Sequence, residues 1–371
     1  MKKRICIMMA LALATIGILS GCGKQPAKQE SGASKESQVT SSKDSGKAAS
    51  EEKQTSSNTE EGKTSFASEI KEMELKVAYM PNYGSLWAIQ NAVDGGYMAD
   101  EKIKVNLVEF QDGPTIIAAM ESGSIDIGYI GQGAHKLCIN GKAKVFALSH
   151  ISNGEALIGG KGITKIEDIK GKKVAYSSGT SSEDILRNSL DKVGLKMEDV
   201  EAMDMDASAI VTAMLSGSVD ACATWSPNTL KILDEMPDST KLADNMTFAD
   251  KTVALGSWIV KAEYAAQNKD IILRFTRALF KAMDYAANDH FEETAEIIAK
   301  QIAQEKDVVY AQRADAKWFT GREVADGAAD GTVEKYYELQ KKQFVSTGAV
   351  EVDPPISDYV MIDNMIEAGK Y

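Results

Sequence analysis

The segment Tyr176-Ser177-Ser178-Gly179-Thr180-Ser181-Ser182 concentrates hydroxyls and a glycine between a strand-like run and a helix-like run. Backbone N–H groups at a helix start, joined by hydroxyl donors, can hold an oxyanion without a formal positive charge. One helix terminus contributes only about 0.3–1 kcal/mol when exposed and up to about 2 kcal/mol when partly buried, so the hydroxyls must add to it. A local use competes: Thr180-x-x-Glu183 is a capping box that takes some of these donors for itself, and Glu183 and Asp184 weaken the positive end. Ser178, Gly179, Thr180 and Ser181 are the ligand contacts this turn would offer. A second turn, Tyr79-Met80-Pro81-Asn82-Tyr83-Gly84-Ser85, offers Asn82 and Ser85 as donors and Tyr83 as an exposed aromatic wall. A third, Gly131-Gln132-Gly133-Ala134, reads better as a donor site through Gln132 than as a dinucleotide cradle, because Lys136 stands where that fingerprint needs glycine. Trp225, in Trp225-Ser226-Pro227-Asn228, could close a cleft by stacking or belong to a core. Leu255-Gly256-Ser257-Trp258 is a further candidate.

No catalytic constellation accompanies these turns. His135, His150 and His290 lack metal spacing with cysteines or carboxylates, and there is neither a Gly-x-Ser-x-Gly elbow nor a Gly-x4-Gly-Lys-[Ser/Thr] loop. The expectation is therefore a binding protein, not an enzyme, with no metal and no cofactor. A formal charge of −12 over 371 residues leaves no basic footprint for nucleic acid, so an anionic ligand must be held by local geometry. Cys138 and Cys222 read as small buried hydrophobes.

The elements that must position the turns begin well inside the chain. Lys2, Lys3 and Arg4 precede the apolar run Ile5 to Leu19, the pattern of an export signal and short for a membrane span. The run ends in Leu19-Ser20-Gly21-Cys22, which resembles the lipobox of bacterial lipoproteins, so residues 1–22 are expected to be a lipoprotein signal with Cys22 diacylated. Two acyl chains give stable anchoring where one would not. From Gly23 to Ser65 there is no aromatic, Leu or Ile and a single Val39, too little apolar surface to offset ordering. Residues 23–68 are expected to be a disordered tether with an r.m.s. span of roughly 35 Å.

Beyond it, strands and helices alternate. Leu75 to Tyr79, Val105 to Phe110, Ile125 to Ile130 and Ala143 to Ser149 read as strands; Ser85 to Met98, Pro114 to Glu121 and a stretch from Gln132 read as helices. A second series follows: strands Lys172 to Tyr176 and Val219 to Thr224, helices Ser181 to Val193 and Ala207 to Ser216. The C-terminal part is helical by periodicity: Lys269 to Asn288, Glu292 to Gln304, Val308 to Phe319 and Val333 to Phe344. This rhythm means an α/β layer fold. Ile116 to Asp126 and Ile210 to Asp220 share seven identities over eleven positions, each a helix stopped by a glycine and followed by Asp at a buried strand. Two such units suggest lobes built alike.

The residues Ala119 to Gly131, then Ile166-Glu167-Asp168-Ile169-Lys170-Gly171-Lys172-Lys173-Val174-Ala175 with Ser177 to Ser182, then Ser216 to Ala221 with Trp225-Ser226-Pro227, resemble the solute-binding proteins of ABC importers for nitrate, taurine, aliphatic sulfonates and thiamine precursors. The resemblance covers about residues 72 to 350. It implies a two-lobed periplasmic-binding-protein type II fold with a ligand cleft between lobes, closing by a hinge crossed twice. Lobe one would comprise residues 69–151 and 255–371, lobe two residues 152–254. The resemblance implies a lipid-anchored, extracytoplasmic, monomeric receptor, Gram-positive in type, serving a permease and an ATPase on separate chains. Its solute would be small and oxyanion-bearing, an aliphatic sulfonate or taurine-like compound. The alternatives are a heteroaromatic ligand, such as a thiamine pyrimidine precursor or riboflavin, stacked among Tyr83, Trp87, Tyr129 and Trp225, or a sensory lipoprotein. The family's enzyme-like branch carries a cysteine-rich motif that this chain lacks.

Overall fold

In the computed structural model residues 71–371 are described; the stretch expected to be a lipoprotein signal with Cys22, 1–22, and the one expected to be a tether, 23–68, lie outside the described residues. The alternating pattern builds two sheets. The first contains β1 (Met73–Tyr79), β2 (Ile103–Glu109), β3 (Ile127–Ile130), β4 (Lys144–Ser152), β10 (Leu255–Val260) and β11 (Ala316–Trp318), in the order β11-β4-β10-β3-β1-β2. The second contains β5 (Ala156–Gly159), β6 (Lys173–Tyr176), β7 (Glu201–Asp204), β8 (Ala221–Thr224) and β9 (Thr240–Asp244), in the order β7-β6-β8-β5-β9. β1 pairs in parallel with β2 and β3, and β6 in parallel with β7 and β8; β10 and β5 run antiparallel to their neighbours. The chain passes between the sheets twice, from β4 to β5 and from β9 to β10. Beside both passages β4 and β10 pair, with Ile151 opposite Leu255.

Every residue of β3, β5 and β8 is buried, as expected of short strands covered on both faces. The first sheet's core is continuous with the C-terminal helices through Phe275, Leu279, Val324 and Tyr337. The second sheet has two smaller cores, one on each face.

The internal repeat is structural. Asp126 accepts a hydrogen bond from the Lys76 N–H of β1 at 2.8 Å, and Asp220 accepts one from the Lys173 N–H of β6 at 2.9 Å. Gly123 and Gly217 stop the preceding helices at φ 77° and 69°, the left-handed region in which a side chain would be strained. The two central β-α-β arrangements, β2-β1-β3 and β7-β6-β8, are thus the same joint made twice.

Several element expectations are corrected. The helix expected over 308–319 is a short helix, Lys306–Ala311, then a 3₁₀ turn, Gln312–Asp315, and then β11, whose ladder with β4 overrides the local helical spacing. The helix expected over 85–98 runs Tyr83–Asp94 and breaks at Gly95-Gly96 before a short helix, Tyr97–Asp100. Strands β5, β7, β9 and β10 had no periodic signature: β5 and β10 are wholly buried, and β7 and β9 are short edge strands.

Candidate functional site: a cleft between two sheets

Strands β1 and β3 end toward the second sheet, and β6 and β8 end toward the first. The turns after these four ends, with the crossing strands, enclose a cavity of about 80 Å³ lined by Asn82, Gln132, Glu155, Ser181, Trp225 and Asp315 among others. That volume holds several water molecules or one small solute. A wider recess of about 800 Å³ shares Met80, Asn82, Trp225 and Gln312 with it.

The two halves touch across the cavity. A Cβ on Gly133 would lie 2.2 Å from the Thr180 carbonyl carbon and 2.5 Å from the Ser181 nitrogen, so only glycine lets the helix Ser181–Lys192 approach this turn. Beside that contact Lys136 Nζ meets Asp184 Oδ1 at 2.8 Å, with the side chains 12% and 7% exposed. Burial pushes the Asp184 carboxyl up, and the Lys136 ammonium opposes the shift. Farther out, Gln343 donates to Asn188 at 2.8 Å.

The Gly131–Gly133 turn is held by a neutral chain. His135 Nδ1 lies 3.0 Å from the Gly131 carbonyl, which places the proton on Nδ1, and Nε2 accepts from Ser257 Oγ at 2.8 Å. Ser257 in turn meets the Tyr337 hydroxyl at 2.8 Å. Burial holds the His135 ring down at about 4, so it stays uncharged at neutral pH. The Gln132 side chain, 4% exposed, lines the cavity and has no hydrogen-bond partner among the described residues.

The hydroxyl turn is largely committed to itself. Ser178 N–H donates to Asp204, Gly179 N–H to Glu183, and Ser182 N–H to the Thr180 hydroxyl, which donates to the Ser177 carbonyl. Thr180 and Ser181 line the cavity, whereas Ser178 and Gly179 do not. Ser85 repeats a device of this turn: its Oγ accepts the Met80 N–H at 2.9 Å, as Ser182 Oγ accepts the Ser177 N–H at 3.0 Å. Ser85 thus locks a turn and is fully buried. Asn82 reaches the cavity while its Oδ1 caps a helix through the Ser85 N–H.

The expected exposure of Tyr83 is corrected: its ring is fully buried, edge-on to Trp318 at 5.1 Å, because the helix it opens packs against the C-terminal segment. Trp87 is buried too, its indole donating to Ser149 at 2.8 Å. The aromatic groups that line the cavity are Tyr129, His150, Trp225 and Trp318. His150 stacks on Tyr129 at 5.9 Å and is held down at about 3 by burial. Gly256 makes room for the pair, since a Cβ there would lie 2.4 Å from the Tyr129 hydroxyl. Cys138 and Cys222 are both buried, and burial pushes their thiols up to about 12.

Glu155 and Asp315 are cleft residues that sequence reasoning missed. Glu155 stands immediately before β5, in the passage between sheets, and Asp315 sits in the stretch expected to be helix. None of the described residues lining the cavity is Lys or Arg. Among the described residues no group of His, Cys, Asp and Glu has metal-binding geometry, and no helix is long and apolar enough to cross a membrane.

Comparison with known proteins gives the same architecture. A binding protein of Brucella abortus is 28% identical over 289 residues, covering 78% of this chain and 90% of its own. The taurine-binding periplasmic protein of Escherichia coli is 26% identical over 227 residues, covering 60% of this chain and 69% of its own. The crystal structure of the periplasmic aliphatic sulphonate binding protein SsuA from Escherichia coli superposes with a TM-score of 0.61 at 20% identity, over 79% of this chain and 98% of that one. The family model described as NMT1/THI5 like matches residues 87–293, which span β2 to β10 and three of the four turns that meet at the cavity, and the chain belongs to that family.

Proposed function

We propose that the protein is the solute-capturing component of an ABC importer, anchored through Cys22 on the extracytoplasmic face, and that it closes around a small oxyanion-bearing solute of the aliphatic sulfonate or taurine type. The observation that carries this reading is the contact of Gly133 with Thr180 and Ser181, which brings two sheets built alike together on one side of a cavity of solute size lined by residues of both. In this reading residues 69–151 with 255–371 form one body and residues 152–254 the other, hinged where the chain passes between sheets. The oxyanion lies against the start of the helix Ser181–Lys192 and the Gln132 amide. The closed form is what the permease, with its ATPase on another chain, receives.

Thermal shift tests the ligand class, using taurine, ethanesulfonate, nitrate, a thiamine pyrimidine and riboflavin. A ligand at a hundred times its dissociation constant adds about 2.7 kcal/mol of stability. Stabilisation by sulfonates that is reduced by Gln132→Leu is the expected result. A second reading has support in Tyr129, Trp225 and Trp318, which offer faces for a flat ring. Stabilisation only by the pyrimidine or by riboflavin selects that reading and removes the sulfonate. For the anchor, Cys22→Ser is expected to move the protein from the membrane to the soluble fraction; unchanged membrane association contradicts it.

A further inference from the structure

We propose that Glu155 and Asp315 form a cation subsite in the cleft, and that the captured solute carries a protonated nitrogen, an ammonium or amidinium, besides its anionic end. The inference rests on reading this cavity as the solute site and adds the charge that the solute must bring.

Glu155 is 5% exposed. Its Oε2 accepts from Ser152 Oγ at 2.7 Å and from the Asn245 amide, while Oε1 has no donor among the described residues. Asp315 accepts from Ser226 Oγ through Oδ2, and its Oδ1 likewise has no donor among them. Burial holds the Asp315 carboxyl above the usual carboxylate range, against the Ser226 hydroxyl and Lys241, and repulsion from Glu155 adds to it. Lys241 lies outside the cavity lining and sits 3.8 Å from Asp244.

The cavity lining therefore brings together Glu155 and Asp315, each with one carboxylate oxygen free of a donor among the described residues; Asp112 also lines it, capping a helix through the Thr115 N–H, and no lysine or arginine does. Glu155 is buried and Asp315 half-buried, and two carboxylates near each other in such a setting repel. The unpartnered Gln132 amide in the same space is a further, independent sign that a polar occupant completes the site. A solute with only an anionic group would meet repulsion here. A protonated nitrogen would hydrogen-bond to both free oxygens and offset one of the two negative charges. The three segments it would join are the passage from β4 to β5, the turn before β11, and Ser226 after β8, so binding the nitrogen also ties the two sheets together.

Calorimetric titration of the purified full chain with matched pairs tests the inference: taurine against ethanesulfonate, and 4-amino-5-hydroxymethyl-2-methylpyrimidine against its 4-hydroxy counterpart. Hydrogen bonds to charged groups lead us to expect the amine-bearing member of the binding pair to be about ten- to a hundredfold tighter. Glu155→Gln and Asp315→Asn, each near-isosteric, are expected to remove most of that preference, with melting curves checking that each variant folds. Equal binding of the two members of the pair that binds, or a preference that survives both variants, overturns the cation subsite and leaves solute capture intact. If no member of either pair binds, the proposed ligand classes and the subsite fall together.

Discussion

A methyl group at Gly133 would press into the Thr180 backbone, which cannot move aside as a flexible side chain could. Because the clash exists only where the two halves meet, Gly133→Ala should leave the melting temperature of the ligand-free protein nearly unchanged and weaken solute affinity by at least about tenfold, the cost of only about 1.4 kcal/mol. Calorimetric titration checks it, and undiminished affinity would show that the contact plays no part in capture. His135 and His150 give a pH signature. Both are held neutral well below the ordinary 6.5, at about 4 and about 3, so the unfolded chain takes up protons that the folded chain refuses. Stability is full above pH 6.5 and falls as the pH drops toward those values, by up to about 1.4 kcal/mol per pH unit for each ring. Urea midpoints at pH 7, 6 and 5 should decline in that order; a flat profile would mean that these rings reach solvent in the folded protein.

The helix Ser181–Lys192 and the short helix His135–Ile139 meet across the cleft through Lys136 and Asp184, and the proposed closure would bring these two elements together. Removing one partner of a buried pair costs about 3–5 kcal/mol while the other stays buried. Separation of the halves would let water reach the orphan, so the penalty falls on the closed form. Lys136→Met should therefore weaken solute binding, and adding Asp184→Leu should restore part of it; a double variant no better than the single would assign the loss to packing. This pair was not legible in the sequence, since Lys136 and Asp184 are 48 residues apart and each reads as an ordinary helix-surface charge. What was legible was local. The repeat ending in Asp126 and Asp220, the Gly-x-Gly turn around Gln132 and the helix start at Thr180 all carry short-range signals in turn chemistry and capping. Glu155, Asp315 and Trp318 carry none, because they reach the cavity only after β11 adds to β4 and the chain crosses between sheets. The same distance effect misled the reading of Tyr83, which the C-terminal segment buries.

For the whole molecule, duplication explains how one chain makes a cleft. Two β-α-β joints of the same construction direct their strand ends at each other, and ligands in α/β sheets bind beyond the carboxyl ends of strands. Two antiparallel strands, β4 and β10, border the passages between them, and in the proposed capture it is bending there that would open or close the cavity without breaking either core. Solute capture by this closure is tested most directly by a crystal structure of the protein grown with saturating taurine. The account predicts taurine in the cavity beside Gln132, its sulfonate toward Ser181 and its nitrogen between Glu155 and Asp315, with Gly133 still against Thr180. A cavity that stays empty at saturation, or taurine bound elsewhere on the molecule, would contradict it.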